Sequence, residues 1–98
     1  MWIGWMEFDF LLGDVHSLKE KRSLVRPVVA EMQRKFAVSV AETEHHDLHR
    51  RVGIGASVVS GDQAHVTEVL DRLERVAASR PELQLVSVRR RTLRSDDI

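Results

Sequence analysis

The sequence contains no cysteine, which excludes disulfide bonds, thiolate catalysis and cysteine-based zinc sites. It also lacks an excess of charge of either sign, because 15 lysine and arginine residues balance 15 aspartate and glutamate residues. A nucleic-acid surface would therefore have to be a local patch and not a property of the whole chain. No apolar run approaches the roughly 18 residues of a membrane-spanning helix, so we expect no membrane partner.

What remains is typical of one globular domain: 98 residues, of which 43% are hydrophobic and 31% are charged. No internal repeat or low-complexity segment is present. The first nine residues carry no basic region and include Glu7 and Asp9, so we expect no signal peptide there. These features predict a cytoplasmic protein.

Two periodicities of apolar residues alternate along the chain. A period of two predicts four strands, at residues 2–12, 37–43, 51–60 and 83–93. Helical spacing predicts one helix over residues 18–36 and another that begins near residue 63 and stops before Pro81. The resulting order, β-α-β-β-α-β, predicts an α+β, ferredoxin-like fold in which a four-stranded antiparallel sheet carries two helices on one face. We expect a single domain over residues 1–94, with strands 1 and 3 central, and a frayed tail over residues 95–98.

The helix boundaries carry local signals. Ser17 and Glu20 form a capping-box pattern, in which the Ser17 hydroxyl accepts from the Glu20 main chain and the Glu20 carboxylate accepts from the Ser17 main chain. Ser60 and Gln63 repeat that spacing before the second helix. Pro27 lies inside the first helix, where it removes one hydrogen bond, and we expect a kink or an interruption there.

The uncovered side of the predicted sheet is a candidate interface. Outward residues of the two central strands form it, and the candidate contact residues are Trp5, Gly53, Gly55, Ser57 and Val59. Glycine inside a strand often marks the close approach of another group. Single-stranded RNA readers of this topology stack bases on aromatic residues of strands 1 and 3, and strand 3 has none here. We therefore expect protein contacts and not base stacking on this face.

Two basic segments are candidate RNA-facing residues, namely Lys19, Lys21, Arg22 and Arg26 in the first helix and Arg89, Arg90 and Arg91 near the C-terminus. Such clusters supply phosphate contacts. A solvated helix face is the alternative explanation of the same pattern.

The segment after the second predicted strand contains His45, His46, Asp47 and His49, residue types that suit zinc or nickel. It lacks the HExxH spacing of a metalloprotease, and we assign no metal or cofactor. Glu7 and Asp9 are neighbours on one strand face, but no nucleophile accompanies them, so we expect no catalytic residues and no enzyme activity. The sequence leaves open whether the histidine segment has a role.

Several segments resemble the YlxP-like family of small bacterial proteins. They are the run Ser17–Arg22, the strand Val38–Glu42, the loop His46–Leu48, and Val58–Ser60 followed by Ala64–Val66. The resemblance covers residues 2 to about 93 and implies a ferredoxin-like domain of uncharacterised function with no established catalytic residues. Members are commonly encoded beside translation-initiation and ribosome-maturation genes, which implies ribosomal RNA or a ribosomal particle as a partner. This chain departs from the family pattern at His45, His46 and His49, where typical members have one histidine before the Asp-Leu pair and an aromatic residue after it.

Two hypotheses follow. The first is an RNA- or ribosome-associated domain, which requires one continuous basic surface joining the first helix to residues 89–94. The second is a module that self-associates through the open sheet face, which requires an exposed apolar patch there.

Overall fold

The computed structural model describes residues 1–97. Its elements are β1 (Trp2–Leu12), α1 (Leu18–Phe36), β2 (Ser39–Glu44), β3 (Arg51–Ser60), α2 (Gln63–Ala78) and β4 (Leu83–Arg94). The four strands form one antiparallel sheet in the order β2-β3-β1-β4. The predicted ferredoxin-like fold, with β1 and β3 at the centre, is confirmed. No helix in the described part of the chain is long and apolar enough to cross a membrane.

The core lies between the sheet and the two helices. Alternate residues of β1 point toward the helices because side chains of a strand alternate between its two sides. The buried side chains of β1 are Met6, Phe8, Phe10 and Leu12, and those of the helices include Val28, Met32, Val66, Leu70 and Leu73. One side of the sheet is therefore fully used for packing, and the opposite side is free for contacts.

The predicted cap of α1 is confirmed in one of its two bonds. The Glu20 main-chain N–H donates to Ser17 Oγ at 3.1 Å, but the Glu20 carboxylate accepts from the His16 N–H at 3.2 Å and not from that of Ser17. The predicted cap of α2 is wrong. Asp62, not Ser60, is the N-cap, and its carboxylate accepts from the Ala64 N–H at 3.0 Å because it lies closer to the first free donors.

Pro27 lies within a helix that runs unbroken from Leu18 to Phe36, so of the kink or interruption expected there the interruption does not occur. The Pro27 side chain is on the exposed side of the helix. The Ser23 carbonyl, which has no Pro27 N–H to accept from, also faces that side and can bind water. The missing hydrogen bond is therefore tolerated without ending the helix.

The predicted frayed tail, residues 95–98, follows β4 directly. Residues Ser95–Asp97 form a short 3₁₀ turn. The Arg94 N–H donates to Asp97 Oδ2 at 3.0 Å, and the Ser95 N–H donates to the Met1 carbonyl at 2.9 Å. Residue 98, the last of the predicted tail, lies outside the described residues.

Candidate interaction surfaces

The helices leave one side of the sheet uncovered, and we call this side the open face. In the central strand β1 and the two strands that pair with it, the residues on this side are Ile3, Trp5, Glu7 and Asp9 in β1, Gly53, Gly55, Ser57 and Val59 in β3, and Ser87, Arg89, Arg91 and Leu93 in β4. Ile3 lies between Val59 and Leu93, which makes an apolar row across three strands at one end of the face. The Val59 side chain is 61% exposed. This end of the face is an unshielded apolar patch.

Side chains of β2 approach Gly53 and Gly55 closely. A Cβ atom at Gly53 would lie 2.6 Å from Glu44 Cβ, and one at Gly55 would lie 2.9 Å from Thr43 Cγ2. The pairing of β2 with β3 shifts register between Glu42 and Glu44, which brings both Thr43 and Glu44 over the glycines. The two glycines are thus required by the side chains of β2, and Gly53 is buried. As a predicted contact residue Gly53 is wrong because it is buried, whereas Trp5, Gly55, Ser57 and Val59 do lie on the open face.

A hollow of about 330 Å³ lies on the open face next to the apolar row. Trp5, Ala41, Gly55 and Ser57 are among its lining residues. The Trp5 ring is half-buried, and the guanidinium carbon of Arg89 lies 5.9 Å from the ring centre. A cation over an indole face is attracted to it, and at an exposed site this attraction contributes about 0.5–1 kcal/mol. The hollow is therefore an open, largely apolar depression that an apolar side chain can enter.

The other end of the open face is polar. Arg51 binds both carboxylate oxygens of Asp9, and its Nε lies 3.3 Å from Asp9 Oδ1. His45 Nε2 lies 3.8 Å from the same Asp9 oxygen, and Arg89 lies 4.0 Å from Glu7 Oε2. Acidic side chains of β1 therefore lie beside cationic side chains of its two neighbours.

Lys21 is the one buried charged residue in the described part of the chain, with 2% of its surface exposed. Its Nζ donates to the His45 carbonyl at 2.7 Å and lies 3.0 Å from Glu42 Oε1. His45 has a left-handed backbone with φ of 62°, which is costly for a residue with a Cβ. Lys21 thus fixes a strained residue at the rim of the sheet. Its prediction as an RNA-facing residue is wrong, because its side chain is turned into the protein.

The remaining predicted basic residues do not form one surface. Arg90 points to the helix side, where it lies 2.8 Å from Asp71 and 3.6 Å from Glu74 of α2. Arg89 and Arg91 point to the open face, since alternate residues of a strand face opposite sides. The exposed residues of α1 lie in the helix layer, on the other side of the sheet. Within residues 1–97, no continuous basic surface therefore joins α1 to residues 89–94, as the RNA hypothesis would require.

Three cations of α1 nevertheless share one exposed stripe. Lys19, Arg22 and Arg26 follow one another at intervals of one helical turn and are all exposed. None of them has an acidic partner within 4 Å among residues 1–97. The charge of this stripe is available to an anionic partner.

The histidine segment does not converge on one point. His45 faces Asp9, while His46 Nε2 lies 3.1 Å from the Glu42 carbonyl oxygen. In the described part of the chain, no group of three or more histidine, aspartate or glutamate side chains has the proximity that a metal ion needs. The two histidines contact the protein itself.

The sequence analysis did not predict the hydrogen bond from Lys21 to the His45 carbonyl. The burial of Lys21, however, has a signal in the sequence. Leu18, Lys21, Val25, Val28 and Met32 follow the alternating spacing of three and four residues that defines a buried helix stripe. That spacing places Lys21 in the interior. Nothing in the sequence indicates that its partner is a carbonyl 24 residues away.

These features define a small α+β domain of the ferredoxin-like class with one uncovered sheet face. The sequence model described as "Protein of unknown function (DUF503)" matches residues 3–90, and the chain belongs to this family. A curated relative is "Uncharacterized protein YlxP" of Bacillus subtilis (strain 168), 32% identical over 82 residues, with 84% of this chain and 89% of that protein covered. The YlxP-like resemblance is confirmed.

Two solved structures share the fold. SnoaB, a cofactor-independent oxygenase from Streptomyces nogalater, superimposes with a TM-score of 0.51 at 11% identity, covering 96% of this chain and 92% of that one. Protein SO0527 from Shewanella oneidensis gives a TM-score of 0.50 at 20% identity, covering 94% and 88%. At these identities the likeness concerns the fold alone.

Proposed function

We propose that the protein is a non-enzymatic binding domain that associates with a second copy of itself through the open face of its sheet. The observation that carries this proposal is the apolar row of Val59, Ile3 and Leu93 on a side of the sheet that no helix of residues 1–97 covers. Exposed apolar surface on a sheet is stabilised by covering it, and a four-stranded sheet offers a surface broad enough for a partner.

The charges of the open face support a second copy as the partner. Glu7 and Asp9 run along β1, while Arg89 and Arg91 run along the adjacent β4. A two-fold axis presents the same surface from both subunits, so an acidic strip beside a basic strip can pair with its own copy. The hollow beside Trp5 accepts an apolar side chain from the facing subunit.

Sedimentation over a range of concentrations tests this proposal. We expect the wild-type protein to form a dimer, and Val59→Lys to shift it to a monomer because a lysine at the apolar row cannot be covered without losing its water. Leu48→Lys is the matched control, since Leu48 is a similarly exposed apolar residue outside the sheet, at 46% against 61% for Val59. A wild-type protein that stays monomeric at all concentrations contradicts the proposal, and so does a Leu48→Lys effect as large as that of Val59→Lys.

A second candidate function is RNA binding through α1 alone. It is supported by the exposed stripe of Lys19, Arg22 and Arg26, which has no acidic partner in residues 1–97, and by the ribosomal context of the YlxP-like family. The Arg89–Arg91 run does not belong to this surface, because it lies in β4. Cations on the side of a helix contact phosphates, so we expect binding without base specificity.

Binding to structured ribosomal RNA at several salt concentrations tests this candidate. The double variant Arg22→Ala/Arg26→Ala should weaken binding, and each lost phosphate contact should flatten the slope of log K against log salt by about 0.7–0.9. Arg75→Ala on α2 is the matched control, since Arg75 is also exposed in a helix. A wild-type protein without salt-sensitive binding rules the candidate out.

The proposal assigns no catalytic residue, cofactor or metal ion to the protein and places it in the cytoplasm, as the sequence led us to expect. Fractionation of the source cells checks the location. Recovery of the protein mainly outside the cytoplasmic fraction contradicts that part of the proposal.

A further inference from the structure

The two edges of the sheet differ in whether side chains bond to their outward main-chain groups. At the β2 edge, the outward main-chain oxygens are those of Val40 and Glu42. Gln33 Nε2 donates to the first at 3.4 Å, and His46 Nε2 lies 3.1 Å from the second. This strand has only six residues and a shift of register. Short length, a bulge and covering side chains all protect a sheet edge from pairing with another chain.

The β4 edge is longer and uncovered. The Ser95 N–H donates to the Met1 carbonyl at 2.9 Å, and the register of this pair continues unbroken to Asp9 and Ser87. In an antiparallel pair, alternate residues direct their main-chain groups toward the partner strand. The odd-numbered residues from 87 to 95 therefore bond to β1.

It follows that the main-chain groups of Val88, Arg90 and Thr92 point away from the sheet. In the described part of the chain, no side chain or loop bonds to them. Only the next outward group, the Arg94 N–H, is bonded, by the Asp97 carboxylate. Three consecutive outward positions thus offer donors and acceptors in the spacing that an added strand requires.

The charges beside the β4 edge indicate what kind of added strand it can bind. Arg89 and Arg91 project on the open-face side of this edge, and Arg91 has no acidic partner within 4 Å among residues 1–97. We propose that the β4 edge binds an extended acidic segment of another protein by strand addition. The segment would pair its main chain with Val88, Arg90 and Thr92 and place carboxylates beside Arg89 and Arg91.

Other occupants fit less well. A second β4 paired edge to edge would bring the arginines of both copies together, and like charges across a strand pair are destabilising. An RNA strand would use the arginines but leave the outward N–H and C=O groups of the edge without a matching ladder. An acidic extended peptide satisfies both requirements at once.

The test uses a fluorescent peptide of alternating glutamate and valine residues, titrated into the full-length Val59→Lys variant so that association through the open face does not interfere. We expect saturable binding at low salt. A peptide of the same sequence with N-methyl groups on alternate residues should not bind, because it cannot form the ladder. A peptide of alternating lysine and valine is the charge control, and we expect it not to bind. Equal binding of the methylated peptide, or no binding of the unmodified one, overturns the proposal.

Two protein variants locate the site. Thr92→Pro removes an outward donor while leaving the bonds to β1 intact, and proline is tolerated at such edge positions. Arg91→Glu should weaken binding by about tenfold, since it replaces an attraction by a repulsion. Arg75→Glu, on α2, is its matched control and should bind the peptide like the parent protein. Unchanged binding by Arg91→Glu, or tighter binding of single-stranded RNA than of the peptide at the same edge, contradicts the proposal even if Thr92→Pro does not fold.

Discussion

Replacing Lys21 with methionine removes a buried ammonium group while keeping a side chain of similar length. In the wild-type protein this ammonium donates to the His45 carbonyl at 2.7 Å and lies 3.0 Å from Glu42 Oε1. Both contacts are lost in Lys21→Met, and the left-handed residue His45 loses the group that holds its carbonyl.

The expected loss of stability follows from these contacts. A hydrogen bond from a charged donor contributes about 1.5–3 kcal/mol. The pair with Glu42 adds at most about 1 kcal/mol, because Glu42 Oε1 is itself buried and the cost of removing it from water offsets most of its attraction to the ammonium. Relief from burying an ammonium offsets part of this sum. We therefore expect Lys21→Met to lower the free energy of unfolding by about 2 kcal/mol, and Lys21→Ala by about 4 kcal/mol, since alanine also removes three buried methylene groups at about 0.8 kcal/mol each.

Urea unfolding measures this effect. With an m value of about 1–3 kcal/mol per M, a loss of 2 kcal/mol lowers the midpoint by about 0.7–2 M. Lys35→Met is the matched control, because Lys35 belongs to the same helix and lies 2.8 Å from Glu31 but is 50% exposed. It should change the free energy by no more than about 0.5 kcal/mol.

A midpoint for Lys21→Met that moves no further than that of Lys35→Met would refute the reasoning, because the buried ammonium would then contribute nothing net. The double variant Lys21→Met/Glu42→Gln separates the two contacts. If the loss came mainly from a carboxylate left without its partner, the second change should recover stability. No recovery would assign the loss to the bond with the His45 carbonyl.

Three further predictions concern stability. Ala37, which ends α1 with φ of 46°, is in a conformation that favours glycine, so Ala37→Gly should raise the free energy of unfolding by about 1 kcal/mol; an unchanged or lower urea midpoint would contradict this. Ser17→Ala should cost about 0.5–2 kcal/mol by freeing the N–H that the hydroxyl caps, and an unmoved midpoint would show that the cap is not needed. Hydrogen bonds from Lys35, which has the larger effect, and from Arg80 hold the pKa of Glu31 below its ordinary value of 4.5. The stability that this shift contributes is complete above pH 4.5 and is lost as the pH falls through 4.5 toward the lower folded-state pKa. Glu31→Gln should therefore flatten the loss of stability in acid, and an unchanged pH profile would argue against the shift.

The sequence alone determined the order of elements and the layers of the fold. Alternation in residues 2–12 and helical spacing in residues 18–36 each depend on neighbours along the chain, and they require no knowledge of the partner surface. The Ser17 cap was also readable, because a helix start is a local arrangement of a few residues. The run Ser17–Arg22, on which part of the resemblance to the YlxP-like family depends, includes both the N-cap of α1 and the buried Lys21.

Only the tertiary structure decided which charged residues are free. Lys21 and Arg22 are adjacent in the sequence, yet one is buried against a carbonyl of the loop after β2 and the other is exposed. Arg90 is turned toward acidic residues of α2, while Arg91 points to the opposite side of the sheet. Glycine is required at positions 53 and 55 of β3 because a bulge in the neighbouring strand brings side chains close to them. In each case the partner is distant along the chain, and a composition or a periodicity carries no information about a contact that folding alone brings together.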